Sequence, residues 1–164
     1  MVVLIAVAVV VWAVYYYTEQ HLVDGNGIPI RAISVADIRA HSESSLVYPG
    51  AVPGSGHANA QTGSTLLGLQ IGEILPAQAS DSYQTAAREA AVIVWYRHWL
   101  GAHRWATRSE RSPADDDGIR FDRVIEFSRG NREQFSLFVA AFSGGTHIQT
   151  IYTIKPFVIV SLFA

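Results

Sequence analysis

The chain has 164 residues, which is enough for one domain with a modest core and an additional segment. Its 12 basic and 14 acidic residues leave a formal net charge of -2, so no broad positive surface for nucleic acid is predicted. The chain contains no cysteine, which excludes disulfides, thiol catalysis and cysteine-ligated zinc or iron–sulfur centres.

The chain begins with an uncharged apolar segment, Met1 to Tyr17. As a helix this segment would be about 25 Å long at roughly 1.5 Å per residue, and Thr18 to His21 could extend it. Trp12 and the three tyrosines at 15–17 are residue types that favour a membrane interface. We therefore predict an uncleaved, single-pass transmembrane anchor over residues 1–21, through which the protein contacts the cell membrane.

Two alternatives to the anchor remain open. A cleaved signal peptide would carry a basic start and a small-x-small site before Asp24, and the sequence has neither. The other alternative is a buried helix or strand of a soluble domain. No Lys or Arg precedes Arg31, so only the terminal amine orients the anchor, and it favours an extracytoplasmic location for the bulk of the chain.

Residues 22–79 are rich in Gly, Pro, Ser and Ala, and this composition indicates a stalk or wrapping segment with turns. The run Ser34-Val35-Ala36-Asp37 is a capping-box pattern, which predicts one short helix. Two prolines and two glycines within 48–54 predict tight turns, and Thr65 to Leu75 is the candidate for an edge strand.

Ala86 to Trp105 is the one long amphipathic segment after the N-terminus. Its apolar residues recur at steps of three and four, which predicts a helix that packs one face against a sheet. That face consists of Val92, Trp95, Tyr96, Trp99 and Leu100. Thr85 is the predicted N-cap, and Gly101 followed by basic residues is typical of a helix C-terminus. We interpret the aromatic residues as core residues rather than as a ligand-binding box.

The sequence around and after this helix alternates as antiparallel strands do. The predicted strands are 80–85, 105–109, 120–128, 134–142 and 147–154. Tight turns are predicted at Arg129 to Arg132 and at Gly144-Gly145. The predicted fold class is α+β, with an N-terminal transmembrane helix followed by one long helix packed on a four- to five-stranded antiparallel sheet.

These patterns divide the chain into an anchor at 1–21, a stalk or wrapping segment at 22–79 and an α+β domain at 80–164. The domain ends in the apolar run Phe157 to Ala164. Eight residues are too few to span a bilayer as a helix, so this run is either one more strand or an apolar tail that meets a membrane or a partner. We favour the strand.

No residue emerges as a predicted catalytic, cofactor-binding or metal-binding residue, and no cofactor is predicted. The six histidines are His21, His41, His57, His98, His103 and His147. None of them pairs at the i, i+4 helical spacing that places two imidazoles on one metal. Asp115 to Asp117 lacks the alternating ligands of a calcium-binding EF-hand loop, and Gly54 to His57 lacks the lysine of a phosphate-binding loop.

Several short motifs together resemble a group of small membrane-anchored or lipoprotein domains of actinobacteria and related bacteria. The motifs are Leu46 to Ala51, Tyr83-Gln84-Thr85, Trp95-Tyr96-Arg97 with Leu100 and Trp105, and Arg132-Glu133. The group carries a YPGA segment, a Y-x-T strand, a helix with WYR-x-x-L, and a Gly-Trp pair at the helix exit. This chain has Arg104 at that glycine position. The resemblance covers residues 46–154 and implies the anchor and the fold, but no activity and no catalytic residue.

Two functional hypotheses follow from these patterns. The first is a non-enzymatic binding or interaction module, whose sheet face or loops around Tyr48 to His57 contact an unknown envelope protein or ligand. The alternative is an envelope-associated hydrolase or transferase with a site assembled from His57, Asp115 to Asp117 and His147, which requires those side chains to converge. A purely structural role as a spacer in a larger membrane complex is also open. We favour the binding module.

Overall fold

The structure is a computed structural model, and it describes residues 21–23, 29–31, 33–61, 65–66, 69–70, 75–112, 114–116 and 119–155. The helical elements are α1 (Val35–Arg39), a 3₁₀ turn (Ser42–Ser45) and α2 (Glu89–Ala102). The strands are β1 (His21–Val23), β2 (Pro29–Arg31), β3 (Val52–Asn59), β4 (Thr65–Leu66), β5 (Leu69–Gln70), β6 (Ala77–Thr85), β7 (Ala106–Arg111), β8 (Ala114–Asp116), β9 (Ile119–Phe121), β10 (Arg123–Arg129), β11 (Glu133–Phe142) and β12 (Gly145–Ile154).

Six strands form one antiparallel sheet in the order β3-β6-β12-β11-β10-β7. Strands β10, β11 and β12 are a meander joined by tight turns, and β12 pairs along its length with β6. Strands β3 and β7 are the two edges of this sheet. The remaining strands pair as the short ribbons β1-β2, β4-β5 and β8-β9. The four strands predicted after the helix, 105–109, 120–128, 134–142 and 147–154, are thereby confirmed as β7, β10, β11 and β12.

The core lies between α2 and one face of the sheet. On β12 the residues at even positions from Thr146 to Ile154 are buried and those between them are half-buried, as the period of a strand requires. Helix α2 buries Val92, Ile93, Tyr96 and Leu100 against this face. The strand residues in the same cluster include Tyr83, Ile125, Phe127, Phe135, Leu137, Val139, Ile148 and Tyr152. Each buried side chain of this size contributes about 1.5–3 kcal/mol, so this layer is the main source of stability.

The predicted fold class, α+β with a transmembrane helix and one long helix on a four- to five-stranded sheet, is wrong. The described chain is mostly a six-stranded antiparallel sheet with two short helices, of 5 and 14 residues. The strand that the prediction lacks is β3, because Pro53, Gly54 and Gly56 are residue types that favour turns. An edge strand pairs on one side only and tolerates them, and the β3-β6 register shifts between Pro53 and Gly56.

Close packing against Asp81 also favours glycine at position 56 of β3. A Cβ atom at this position would lie 2.0 Å from Oδ1 of Asp81 on β6. That carboxylate is held by Arg39 of α1, whose guanidinium also donates to the backbone oxygen of His57 at 2.9 Å. The segment predicted as a stalk therefore contains an edge strand, and Arg39 links it to β6 through the hydrogen bond to His57 and the ion pair with Asp81.

The predicted capping box at the start of α1 is confirmed. The amide of Asp37 donates to Oγ of Ser34 at 3.1 Å, and the amide of Ser34 donates to Oδ2 of Asp37 at 2.9 Å. The reciprocal bonds satisfy two of the amides that a helix start leaves without a partner. The pattern was readable because both residues lie within one helical turn.

Helix α2 is shorter than the helix predicted over Ala86 to Trp105. Its N-cap is Arg88, whereas Thr85 is the last residue of β6 and accepts a hydrogen bond from the amide of Ala87 at 3.2 Å. Thr85, the predicted cap, is thus a strand residue whose side chain stabilises the turn between β6 and α2. At the other end the C-cap is His103, so Trp105 lies beyond the helix and packs in the core.

The exit of α2 supports a prediction on stability. Arg104 has φ 65°, a left-handed conformation that disfavours a side chain. We expect Arg104→Gly to raise the free energy of unfolding by about 0.5–1 kcal/mol, because glycine relieves strain of about 1–2 kcal/mol but makes the unfolded chain more flexible. Urea denaturation measures this difference. Arg104→Ala retains the strain and serves as the control, so an equal gain from alanine would contradict the conformational explanation.

No helix in the described ranges is long and apolar enough to cross a membrane. The predicted transmembrane helix over 1–21 is contradicted at its end, since His21 lies in β1 and pairs with Arg31 of β2. Residues 1–20 and Phe157 to Ala164 lie outside the described residues. The extracytoplasmic localisation stays a prediction.

Candidate functional site

Arg129, the last residue of β10, lies between two carboxylates. Its Nη1 donates to Oε1 of Glu43 at 2.7 Å, and its Nε and Nη2 donate to the two oxygens of Glu133 at 2.7 and 2.8 Å. The contact with Glu133 is bidentate, which is the geometry that gives an arginine–carboxylate pair its specificity. These bonds join the 3₁₀ turn to the β10-β11 hairpin.

Two aromatic side chains complete this group. The indole of Trp105 donates to Oε1 of Glu43 at 3.3 Å, and the phenol of Tyr152 donates to Oε1 of Glu133 at 2.7 Å. The guanidinium of Arg129 lies 4.9 Å from the centre of the Trp105 ring, a cation–π contact. We call these five residues the arginine cluster. Because the side chain of Glu43 is only 4% exposed, the charge of Arg129 compensates a carboxylate that has lost most of its water.

The arginine cluster shifts the pKa values of its members. Burial acts to raise the pKa of Glu43, but a backbone hydrogen bond and the charge of Arg129 outweigh it, so this pKa lies below its usual value. The hydrogen bond from Arg129 lowers the pKa of Glu133. Burial raises the pKa of the Tyr152 phenol, which therefore stays protonated and acts as a donor. Both carboxylates are ionised at neutral pH.

These directions predict how stability depends on pH. A glutamate whose pKa is depressed by folding contributes stability above its unfolded pKa, about 4.3, and loses it as the pH falls through the folded value. We expect the free energy of unfolding to decrease below about pH 4.3, and Arg129→Met to flatten that dependence because both carboxylates lose their partner. Urea denaturation across this range measures the effect. An unchanged pH dependence in the variant would contradict the assignment.

A groove of about 310 Å³ opens beside the arginine cluster. Its lining comes from β7, from the β10-β11 hairpin and from the residue that follows β12. The lining residues are Arg108, Glu126, Phe127, Ser128, Gly130, Asn131, Glu133, Gln134 and Lys155. We call this site the hairpin groove. Its volume is near the lower end of ligand-binding pockets, which begins at about 300 Å³.

Local sequence explains how the hairpin places these residues. The turn predicted at Arg129 to Arg132 is confirmed, and Gly130 has φ 64°, which glycine adopts without strain. Arg129 and Glu133 are directly paired across the strands, so their side chains lie on the same face. The amide of Lys155 donates to the backbone oxygen of Arg132 at 2.7 Å, and this bond fixes the end of β12 beside the turn.

The carboxylates that line the groove have hydrogen-bond partners in the protein, whereas its two basic side chains keep donors without a partner in the described part of the chain. The carboxylate of Glu126 accepts from the hydroxyl of Ser109 at 2.9 Å and from Nη2 of Arg111 at 3.2 Å. The other carboxylate of the groove belongs to the arginine cluster and is paired there. Arg108 donates only through Nε, to Oγ of Ser128 at 3.0 Å. Its terminal nitrogens and the Lys155 ammonium have no protein partner within the described ranges.

The structure does not assemble the alternative site of His57, Asp115 to Asp117 and His147. His57 pairs with Ser80, which pairs with Ile151, so the two histidines lie four residues and two strands apart. At about 3.3 Å per residue and about 4.8 Å between strands, their Cα atoms are about 16 Å apart. Asp115 and Asp116 lie in β8, while Asp117 is not among the described residues.

The sequence analysis names no metal-binding residue, and no group of three His, Asp or Glu side chains in the part of the chain that is described could hold a metal ion. The aromatic residues of α2 differ in burial. Tyr96 is fully buried and donates to the backbone oxygen of Leu46 at 3.1 Å. Trp95 and Trp99 are half-buried at the margin of the same core. The core interpretation is confirmed for Tyr96 and holds in part for the two tryptophans.

Sequence reasoning missed the arginine cluster and the hairpin groove. Arg129 and Glu133 flank a recognisable turn, and their cross-strand pairing was the one local signal available. Glu43 gave no signal, because it lies 86 residues from Arg129 in the chain. The two free cations of the groove come from strands on opposite sides of the hairpin, so only the strand order brings them together.

The resemblance to small membrane-anchored or lipoprotein domains depends on short motifs distributed over residues 46–154. Tyr83 to Thr85 lies in β6, Trp95 to Arg97 lies in α2, and Leu46 to Ala51 lies in the connection between the 3₁₀ turn and β3. Such placement does not by itself identify a family. The resemblance therefore stays a prediction. No protein-family model matches the chain, and searches of curated proteins and of solved structures find no significant match.

Proposed function

We propose that this protein is a non-enzymatic binding module and that the hairpin groove is its ligand site. The observation that carries the proposal is a groove of about 310 Å³ beside a buried charge cluster, lined by cationic and amide side chains that keep donors without a partner in the described part of the chain. Strands of the central sheet supply most of the lining. The arginine cluster links the β10-β11 hairpin to the 3₁₀ turn and so limits its movement. A site on rigid elements loses little conformational freedom when a ligand binds.

The protonation of the groove favours binding over proton transfer. A general base works best when its pKa lies near the working pH. Arg129 instead lowers the pKa of Glu133 and occupies both of its oxygens. Glu126 is likewise held by Ser109 and Arg111. Both carboxylates of the groove are thus occupied by donors of the protein, an arrangement that supports a binding role.

The test is an amide-resolved NMR titration of the full chain with a library of small metabolites of every charge. The expected result is at least one saturable ligand that shifts the amides of Gly130, Asn131 and Gln134. Ser128→Trp fills the groove and should abolish those shifts, whereas Ser55→Trp on the opposite edge strand should leave them unchanged. The proposal is overturned if no ligand shifts these amides, or if binding survives in Ser128→Trp with the fold intact by circular dichroism.

A further inference from the structure

We infer that the hairpin groove binds a small oxyanion, a ligand that carries a carboxylate or phosphate group; this inference rests on the proposed function of the groove as a ligand site. Of the four charged residues that line it, two are acidic and two are basic. A count of formal charges alone would make the groove neutral. The hydrogen bonds show instead that the acidic groups are paired within the protein and that the basic groups keep free donors in the described ranges.

Both acidic residues already accept hydrogen bonds from arginines that do not line the groove, and Arg129 shares its charge between Glu133 and Glu43. Glu126 is paired with Arg111, and Glu133 is paired with Arg129. Arg129 donates to both oxygens of Glu133, and Arg111 donates to Oε1 of Glu126. The hydroxyl of Tyr152 also donates to Glu133, and the hydroxyl of Ser109 donates to Oε2 of Glu126. The two anions therefore have little capacity left to attract a cationic ligand.

The two basic residues, in contrast, keep hydrogen-bond donors that no protein group in the described ranges uses. Arg108 uses one nitrogen for Ser128 and has its terminal guanidinium nitrogens free, and the Lys155 ammonium has no protein partner among the residues that the structure describes. They approach from opposite sides of the hairpin, since β7 neighbours β10 and β12 neighbours β11. A guanidinium and an ammonium on the two sides of one groove are suited to the oxygens of a carboxylate or phosphate.

The remaining polar groups add donors for the same ligand. Asn131 and Gln134 also line the groove, and the side-chain amide of each can donate two hydrogen bonds. With the ion-pair partners Arg111, Arg129 and Glu43 included, four positive and three negative charges lie at the groove, whereas the whole chain has a formal net charge of -2. The excess of one positive charge is therefore local. Such a local potential raises the concentration of an anionic ligand at the site.

The experiment uses three probes on the full chain, with NMR shifts of Gly130 and Asn131 as the readout: succinate, inorganic phosphate and the neutral isostere succinamide. We expect succinate or phosphate to shift these amides saturably and succinamide to leave them unchanged. Arg108→Gln and Lys155→Gln should each weaken the binding about tenfold or more, because each removes charged hydrogen bonds to the anion. Arg97→Gln, an exposed arginine of α2, is the matched control and should not change it.

The outcomes distinguish a failure of the oxyanion inference from a failure of the proposed function. Tighter binding of succinate assigns the site to carboxylates, and tighter binding of phosphate assigns it to phosphates; either result supports the inference. If neutral or cationic members of the library shift the groove amides while both anions do not, the oxyanion inference is overturned and the proposed function stands. If anions bind but both glutamine variants retain full affinity, the inference is also overturned. If no compound of any charge binds, the proposed function fails, and the inference fails with it.

Discussion

Replacing Arg129 with methionine should lower the free energy of unfolding by about 3–5 kcal/mol, because the change leaves Glu43 buried without its compensating charge. The Glu43 side chain is 4% exposed and accepts at 2.7 Å from Arg129. Methionine retains an apolar stem of similar length, so the loss reports mainly the charge. Urea denaturation at neutral pH measures it.

Two further variants identify the cause of that loss. Adding Glu43→Gln to Arg129→Met should recover part of the stability, since an uncharged amide costs less to bury than an unpaired carboxylate. Arg97→Met removes an arginine from an exposed ion pair with Glu110 and should change stability by only about 0–1 kcal/mol. If Arg129→Met were no more harmful than Arg97→Met, the arginine cluster would not be a buried charge network.

Replacing Gly145 with alanine should destabilise the protein by at least about 3 kcal/mol, through backbone strain and overpacking. Gly145 has φ 143°, and a Cβ atom there would lie 2.0 Å from the backbone oxygen of Thr85 and 2.8 Å from Cα of Ala86. Both obstacles are backbone atoms of the connection between β6 and α2, so they cannot move aside as a side chain would. Thermal and urea denaturation both measure the effect.

The matched control for this variant is Gly101→Ala. Gly101 lies in α2 with nothing within 4 Å of an added Cβ. Alanine should therefore raise stability by about 0.5–1 kcal/mol through its higher helix propensity. Similar effects of the two substitutions would contradict the close approach of Gly145 to the backbone of Thr85 and Ala86 at the end of β6.

Local patterns predicted the elements whose determinants lie close together in the chain. The alternation along β12 and the capping box of α1 are complete within ten residues or fewer, and both predictions are confirmed. Helix α2 was located but given the wrong start, because Thr85 is a residue type that favours caps while the pairing of β6 with β12 holds it in a strand. Tertiary pairing therefore overrode a local preference.

The parts that could not be predicted depend on distant residues. Strand β3 has the composition of a turn region, and it becomes a strand because β6 offers a free edge and because Gly56 allows Asp81 to approach. The hairpin groove requires β7 and the end of β12 to flank one hairpin, which the strand order determines. The predicted fold class lacked β3 because its local composition favours turns. The groove was missed because only the order of the strands brings its lining together.

The central claim is that this chain binds a ligand in the hairpin groove. The most direct measurement is the map of backbone amides whose NMR signals shift as a ligand from the unbiased library saturates the full chain. We expect the shifts to centre on Gly130, Asn131 and Gln134 and to disappear in Ser128→Trp. Shifts centred on β3 or on the exposed side of α2, or no saturable shift at all, would contradict it.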